Sequence, residues 1–129
     1  MSLLQTMDSA SPIMYILINA DLKLSVGQIA AQTAHIVHLI IDENIRNGYE
    51  SYPVPESYVT YMKWCQNPIT IVKKTSEEKL NELLKIPGAR YFYDDVYNKQ
   101  TKQKSSQLTI VGFSPSCILT DTMNDYELL

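Results

Sequence analysis

The chain reads as α/β, a single three-layer α/β/α domain with a four-stranded mixed sheet. Three observations predict this. Strand-like and helix-like segments follow one another in the order β-α-α-β-α-β-β-α, and helices between strands imply right-handed crossovers and a parallel core. The first strand pattern, Pro12 to Ile18, is nearly continuous apolar, which suits a strand covered on both faces. The last two strand patterns have no helix between them, which favours an antiparallel pair and makes the sheet mixed.

The elements follow in order. After Ile18 a short polar loop leads to Ser25, which with Gln28 three residues on forms a Ser-x-x-Gln capping box. The helix it opens is expected to run to about Arg46 and to end near Asn47-Gly48, where glycine tolerates a left-handed C-cap. On it, Gln28, Gln32 and His35 share one stripe, and Ile29, Thr33, Ile36, Val37, Ile40 and Ile41 form the opposite, apolar one. Tyr49 to Pro55 is a connector. Glu56 to Gln66 reads as a second helix with Val59, Met62 and Cys65 on one stripe, broken by Asn67-Pro68, and Trp64 reads as core or packing rim. Ile69 to Val72 is a strand. Thr75-Ser76-Glu77-Glu78 forms another capping box, and Leu80, Leu83 and Leu84 give the third helix its buried face. Pro87-Gly88 ends it. Arg90 to Tyr93 is a strand ending in Asp94-Asp95, Val96 to Ser106 a polar loop, Gln107 to Phe113 the last strand, and Ser116 to Met123 a short helix.

Composition narrows the function class. Of 129 residues, 45% are hydrophobic and 19% charged, ordinary for a globular protein. No apolar run approaches the ~20 residues of a membrane span, so no membrane partner is expected. Residues 12–129 are expected to be one domain. Residues 1–11, polar and unlike a secretory signal, are expected to be a flexible segment, part of it an expression scar. Cys65 and Cys117 lie far apart in no metal-ligand spacing, as free thiols in a reducing cytoplasm would. The net charge of -3 argues against a general nucleic-acid binder, though Lys99, Lys102 and Lys104 cluster in one segment and Lys73-Lys74 in another. Solvated surface is the simplest reading of both clusters.

In an open α/β sheet, ligands bind beyond the carboxyl ends of the parallel strands. Asn19, Asp21, Lys23, Gly27 and Gln28 follow the first strand there, Asp94 and Asp95 end the third, and Gln107 and Thr109 begin the fourth. Each has a simpler reading: Gln28 as a cap, His35 and His38 as partly buried helix residues, Asp95 as a turn residue, Thr109 as a strand residue. There is no Cys-His, Ser-His-Asp, zinc or glycine-rich phosphate-loop spacing, and the chain has only four glycines.

Asp21-Leu22-Lys23-Leu24-x-x-Gly27-x-Ile29-Ala30-Ala31-Gln32-x-x-His35 resembles the signature of the archaeal and eukaryotic type of peptidyl-tRNA hydrolase, the type 2 or Pth2 family. Trp64 to Lys73 looks like that family's second strand and its approach. Asp95 to Gln100 stands in place of its Asp-Ala-Gly-Arg-Thr-Gln segment, Thr109 to Pro115 resembles its last strand, and Leu128-Leu129 its usual end. The likeness spans about Ile13 to Leu129. The chain departs from the pattern at several positions. Gln28 replaces the Lys after the motif glycine, Asn19 replaces an Arg, Val96-Tyr97-Asn98-Lys99 replaces Ala-Gly-Arg-Thr, and Ser105-Ser106-Gln107 replaces Pro-Gly-Thr behind a loop two residues longer.

The resemblance implies hydrolysis of the ester between a peptide and the 3′ ribose of tRNA, without cofactor or metal, and it allows a homodimer. It implies a catalytic group of Asp95, Thr109 and Gln28. Substrate contacts would fall to Asn19, Asp21, Lys23, Gly27, Gln32, His35, Lys99, Gln100, Lys102 and Lys104. Two other readings stand beside it. One is a binding module for tRNA, peptide or protein, in which the fold persists without the motif Lys. The other is hydrolysis of some other ester or amide in an altered pocket.

Overall fold

Apolar residues on both sides of one strand organise the molecule, which is described by a computed structural model at residues 11–98 and 101–129. That strand, β1 (Ile13–Asn19), is buried along nearly its whole length. Met14, Ile16 and Ile18 point to one face of the sheet, where they meet Ile36 and Ile40 of α1 (Val26–Glu50) and Tyr61 and Trp64 of α2 (Glu56–Gln66). Tyr15 and Leu17 point to the other face. There they meet Leu80 and Leu83 of α3 (Glu77–Leu83) and Met123 of α4 (Thr120–Met123). One strand thus fills two cores, which is why it carries no polar alternation. Each such side chain taken from water contributes roughly 1.5–3 kcal/mol.

The sheet order is β3-β4-β1-β2-β5. β2 (Ile69–Thr75) runs parallel to β1, and β4 (Gln103–Phe113) runs antiparallel to both β1 and β3 (Ala89–Asn98). The sheet is mixed, as expected, but it has five strands rather than four. The fifth, β5 (Glu127–Leu128), lies antiparallel on Lys73 and Lys74 of β2. Two residues carry no periodicity, so no pattern announced it. It is held by bonds from elsewhere: Leu129 N donates to Val72 O at 3.1 Å. The buried Lys73 ammonium donates to Met123 O at 2.6 Å and Tyr126 O at 3.1 Å. Lys73 is therefore core rather than solvated surface.

Other boundaries shift for physical reasons. The capping box at Ser25 and Gln28 forms as expected, but α1 runs past Asn47-Gly48. A Cβ on Gly48 would overlap the Tyr58 ring, so this glycine lets α2 approach α1 and does not end the helix. The stripe of Val59, Met62 and Cys65 faces solvent; α2 buries Tyr61 and Trp64 instead, and Trp64 Nε1 donates to Ile69 O at 2.9 Å. The third helix is capped by Ser76, which accepts from Lys79 N, and not by Thr75, which ends β2. Most of the expected loop from Val96 to Ser106 is a two-stranded ribbon, with Val96 paired to Ser105 and Tyr97 to Lys104. The last helix is a single turn. Among the described residues no helix is long and apolar enough to cross a membrane.

Candidate active site

The β3–β4 pairing contains an irregularity. Phe92 pairs with Ile110, but Tyr93 pairs with Leu108, so Thr109 is an extra residue opposite the Phe92–Tyr93 step. Such a bulge resets side-chain alternation and re-aims a residue. Ile110 packs under α1, whereas Leu108 packs on the opposite face with Leu80 and Leu83. Thr109, between them, turns its hydroxyl to α1.

There it meets Gln32. The Thr109 hydroxyl lies 3.0 Å from Gln32 Oε1 and 3.1 Å from Phe92 O. Gln32 Nε2 donates to Asp94 Oδ2 at 3.0 Å. Asp94 Oδ1 in turn accepts from Asp95 N at 2.8 Å. The polarity is consistent throughout: a hydroxyl donates to the amide oxygen, and the amide nitrogen donates to a carboxylate. Thr109 is 1% and Gln32 7% exposed, while Asp94 is exposed. A buried pair thus holds a solvent-facing carboxylate in one orientation. Gln32 therefore belongs to the buried stripe of α1 with Ile36 and Ile40, four residues apart, and not to the polar stripe expected for it.

The remaining sequence candidates divide into three groups. Asn19 is buried; its Nδ2 donates to Leu108 O at 2.7 Å and its Oδ1 accepts from Asp21 N at 2.9 Å, closing a 3₁₀ turn at Ala20–Leu22. Asp21 accepts from Glu77 N at 2.9 Å, at the start of α3. These two residues are engaged in joining β1, β4 and α3. Lys23, in a left-handed conformation, Gly27 and Gln28 are exposed around the start of α1. Gln28 Oε1 accepts from Ser25 N at 2.8 Å, which leaves its Nε2 as the free end. His35 is exposed, with its ring edge-on to Phe92 at 6.0 Å. Lys102 and Lys104 are exposed on the ribbon, and Lys99 and Gln100 lie outside the described residues.

The Asp95 carboxyl group is separated from this network by strand alternation, although its backbone N–H takes part. Phe92 and Asp94 face α1, so Tyr93 and Asp95 face away from it. The carboxylate bonded to Gln32 is therefore Asp94, which the catalytic group implied by the resemblance leaves out. A signal existed: Gln32 falls in register with Ile36 and Ile40, and a buried amide needs a partner. A cleft of about 410 Å³ opens at the same edge of the sheet beside Ala20, Lys74, Ser76, Lys79 and Tyr126. Burial, with Glu82 and Asp125 adding to it, holds the Tyr126 hydroxyl above its ordinary pKa. Among the described residues no group of three or more His, Cys, Asp or Glu side chains could hold a metal ion.

The sequence profile of Peptidyl-tRNA hydrolase PTH2 matches residues 13–123, which takes in both cores and the whole Thr109–Gln32–Asp94 network. The chain belongs to the PTH2 peptidyl-tRNA hydrolase family. Comparison with curated proteins returns no match. Membership of PTH2 connects the chain with translation and with peptidyl-tRNA hydrolysis as the family's chemistry. Against that background, the neutral Gln28 is the departure nearest the start of α1.

Proposed function

We propose that this PTH2 member hydrolyses the ester joining a peptide, or an N-blocked amino acid, to the 3′ ribose of tRNA, as part of cytoplasmic translation. The observation that carries the reading is the bonded series from Thr109 through Gln32 to Asp94. It presents a pre-oriented carboxylate to solvent at the sheet edge. Asp94 takes a proton from water as the water oxygen attacks the ester carbonyl. The tetrahedral oxyanion accepts from Gln28 Nε2, which carries a neutral rather than a charged donor. On collapse the C–O bond to the ribose breaks, and Asp94 returns the proton to the leaving 3′ oxygen. Thr109 and Gln32 position the carboxylate. Asp95, the carboxylate named by the resemblance, contributes its backbone N–H to Asp94. Lys23, Lys102 and Lys104 supply exposed charge for tRNA phosphates.

A second reading, a tRNA- or peptide-binding module, is favoured by one observation: Gln28 is uncharged and its amide oxygen is already held by Ser25. One experiment separates the two. Release of free tRNA from N-acetylaminoacyl-tRNA is followed for the parent chain, Asp94→Asn and Asp95→Asn, with thermal melts alongside. The hydrolase reading expects parent turnover and a fall of about 10²–10⁴-fold in Asp94→Asn, the usual contribution of a positioned proton acceptor. Full turnover in Asp94→Asn removes that residue from the mechanism. A larger loss in Asp95→Asn moves the role to Asp95. Binding without turnover in the parent supports the module.

A further inference from the structure

The face of β3 turned away from α1 is not used by the mechanism above, and it has an unusual composition. Alternation places Tyr91, Tyr93, Asp95 and Tyr97 on it, and strand pairing sets Lys104 directly opposite Tyr97 on the same side. The three tyrosines are 49%, 50% and 53% exposed. Tyr91 and Tyr93 confirm their shared side, with ring centroids 5.8 Å apart at 90°. On this side α3 packs beneath β1 and β4, in the core that holds Leu80, Leu83 and Leu108, and β3 lies at the sheet edge beyond them.

We propose that this tyrosine row is a stacking platform for single-stranded RNA, specifically the unpaired 3′ end of a tRNA. The proposal rests on the peptidyl-tRNA reading. Exposed aromatic side chains on one sheet face accept bases on their ring faces without needing base pairs. Tyr91 and Tyr93 are two residues or about 7 Å apart along the strand, and Tyr97 follows after four residues or about 13 Å. Tyr97 and Lys104 sit at the ribbon end, so a cation lies beside the last ring, where a phosphate backbone would pass. Lys102, in a left-handed conformation next to the turn, adds a second charge. Asp95 stands between Tyr93 and Tyr97 on this face. A carboxylate accepts hydrogen bonds, and it is met by the donors of an unpaired strand, a cytosine amino group or a ribose hydroxyl. Asp94 lies between Tyr93 and Asp95 on the same strand but faces α1, and β3 is the edge of the sheet, so an RNA strand lying along the row passes its end over that edge to reach the carboxylate network. A duplex buries its base faces and cannot use the rings.

The test uses the full chain and a fluorescein-labelled, eight-nucleotide single-stranded RNA ending in CCA, with a blunt RNA duplex of equal length as comparison. Anisotropy is read over a salt series, and binding does not depend on hydrolysis. The single strand is expected to bind more tightly than the duplex. Tyr93→Ala and, separately, Tyr97→Ala are expected to weaken it about 5- to 150-fold, the range for loss of one stacked base. Tyr93→Phe is expected to hold within about twofold because the ring face remains. Lys104→Gln is expected to lower the salt slope by about one. Parent-like binding by both alanine variants, with melts unchanged, overturns the platform. So does equal affinity for strand and duplex, or tyrosine-dependent self-association without RNA binding. Turnover that survives any of these three results leaves the hydrolase reading in place. Single-strand binding without turnover removes that reading and keeps the platform.

Discussion

The hydroxyl of Thr109 and the side-chain amide of Gln32 lie 3.0 Å apart, both buried, and between them they decide where Asp94 points. Replacing Thr109 by Val keeps the shape and deletes the hydroxyl. Gln32 Oε1 then loses its partner inside the protein, a cost of about 1–3 kcal/mol. Urea unfolding should show that loss as a lower midpoint at unchanged slope. Turnover, if Asp94 acts as proposed, should fall beyond what stability explains. Parent-like values for both would mean that the amide is held by other means.

Gln28→Lys exchanges a neutral donor for a charged one at the start of α1. Charge-assisted hydrogen bonds are roughly twice as strong as neutral ones, so release of free tRNA should quicken in this variant. The exchange also deletes the reciprocal half of the capping box, the bond from Ser25 N, while Ser25 Oγ continues to accept from Gln28 N. A stability loss of some tenths of a kcal/mol up to about 1 should accompany the gain. Slower turnover with an intact helix would exclude position 28 from oxyanion binding.

Lys73→Met removes an ammonium that donates to both Met123 O and Tyr126 O. Two inward-facing carbonyls are then left short of a donor, at about 1–3 kcal/mol for each one that water cannot reach. Hydrogen exchange should show the turn at Thr120–Met123 and strand β5 opening ahead of the rest. Uniform loss of protection across the sheet would contradict a local clamp.

Burial pushes the Tyr61 hydroxyl up to about 12, with its hydrogen bond and charge coupling to Cys65 and the neighbouring Tyr58 adding to the effect. In the unfolded chain the same group titrates near 10. Its folded value is the raised one, so its contribution to stability is complete below pH 10. It is lost as the pH climbs from about 10 to about 12, because the unfolded chain gives up its proton first. Tyr61→Phe should flatten the fall in melting temperature across that interval. An unchanged alkaline slope would assign the fall to other tyrosines.

Most of the architecture was legible because its signals are local and strong. β1 carries a two-sided apolar run, Ser25 and Gln28 form the expected box, and α2 spans Glu56–Gln66 as its pattern indicates. What escaped depends on partners distant in sequence. Gly48 has the composition of a helix end, but its neighbour in space is Tyr58, and only tertiary packing shows that. Lys73 reads as a surface charge until the carbonyls of Met123 and Tyr126 are brought to it. Thr109 and Gln32 were legible as candidates, and the structure brings them together. The choice between Asp94 and Asp95 was not, because adjacent strand residues face opposite sides, and the phase of β4 against β3 depends on a bulge that no local pattern marks.

That bulge has an evolutionary consequence. It divides the β3–β4 hairpin into two segments with independent phase: a base fixed by two cores, and a projecting tip whose facing is set afresh beyond Thr109. Mutations that lengthen, shorten or recharge the tip are insulated from the packing below. A lineage could therefore rework what the tip touches many times while the threonine, the glutamine and the carboxylate behind it stay where they are.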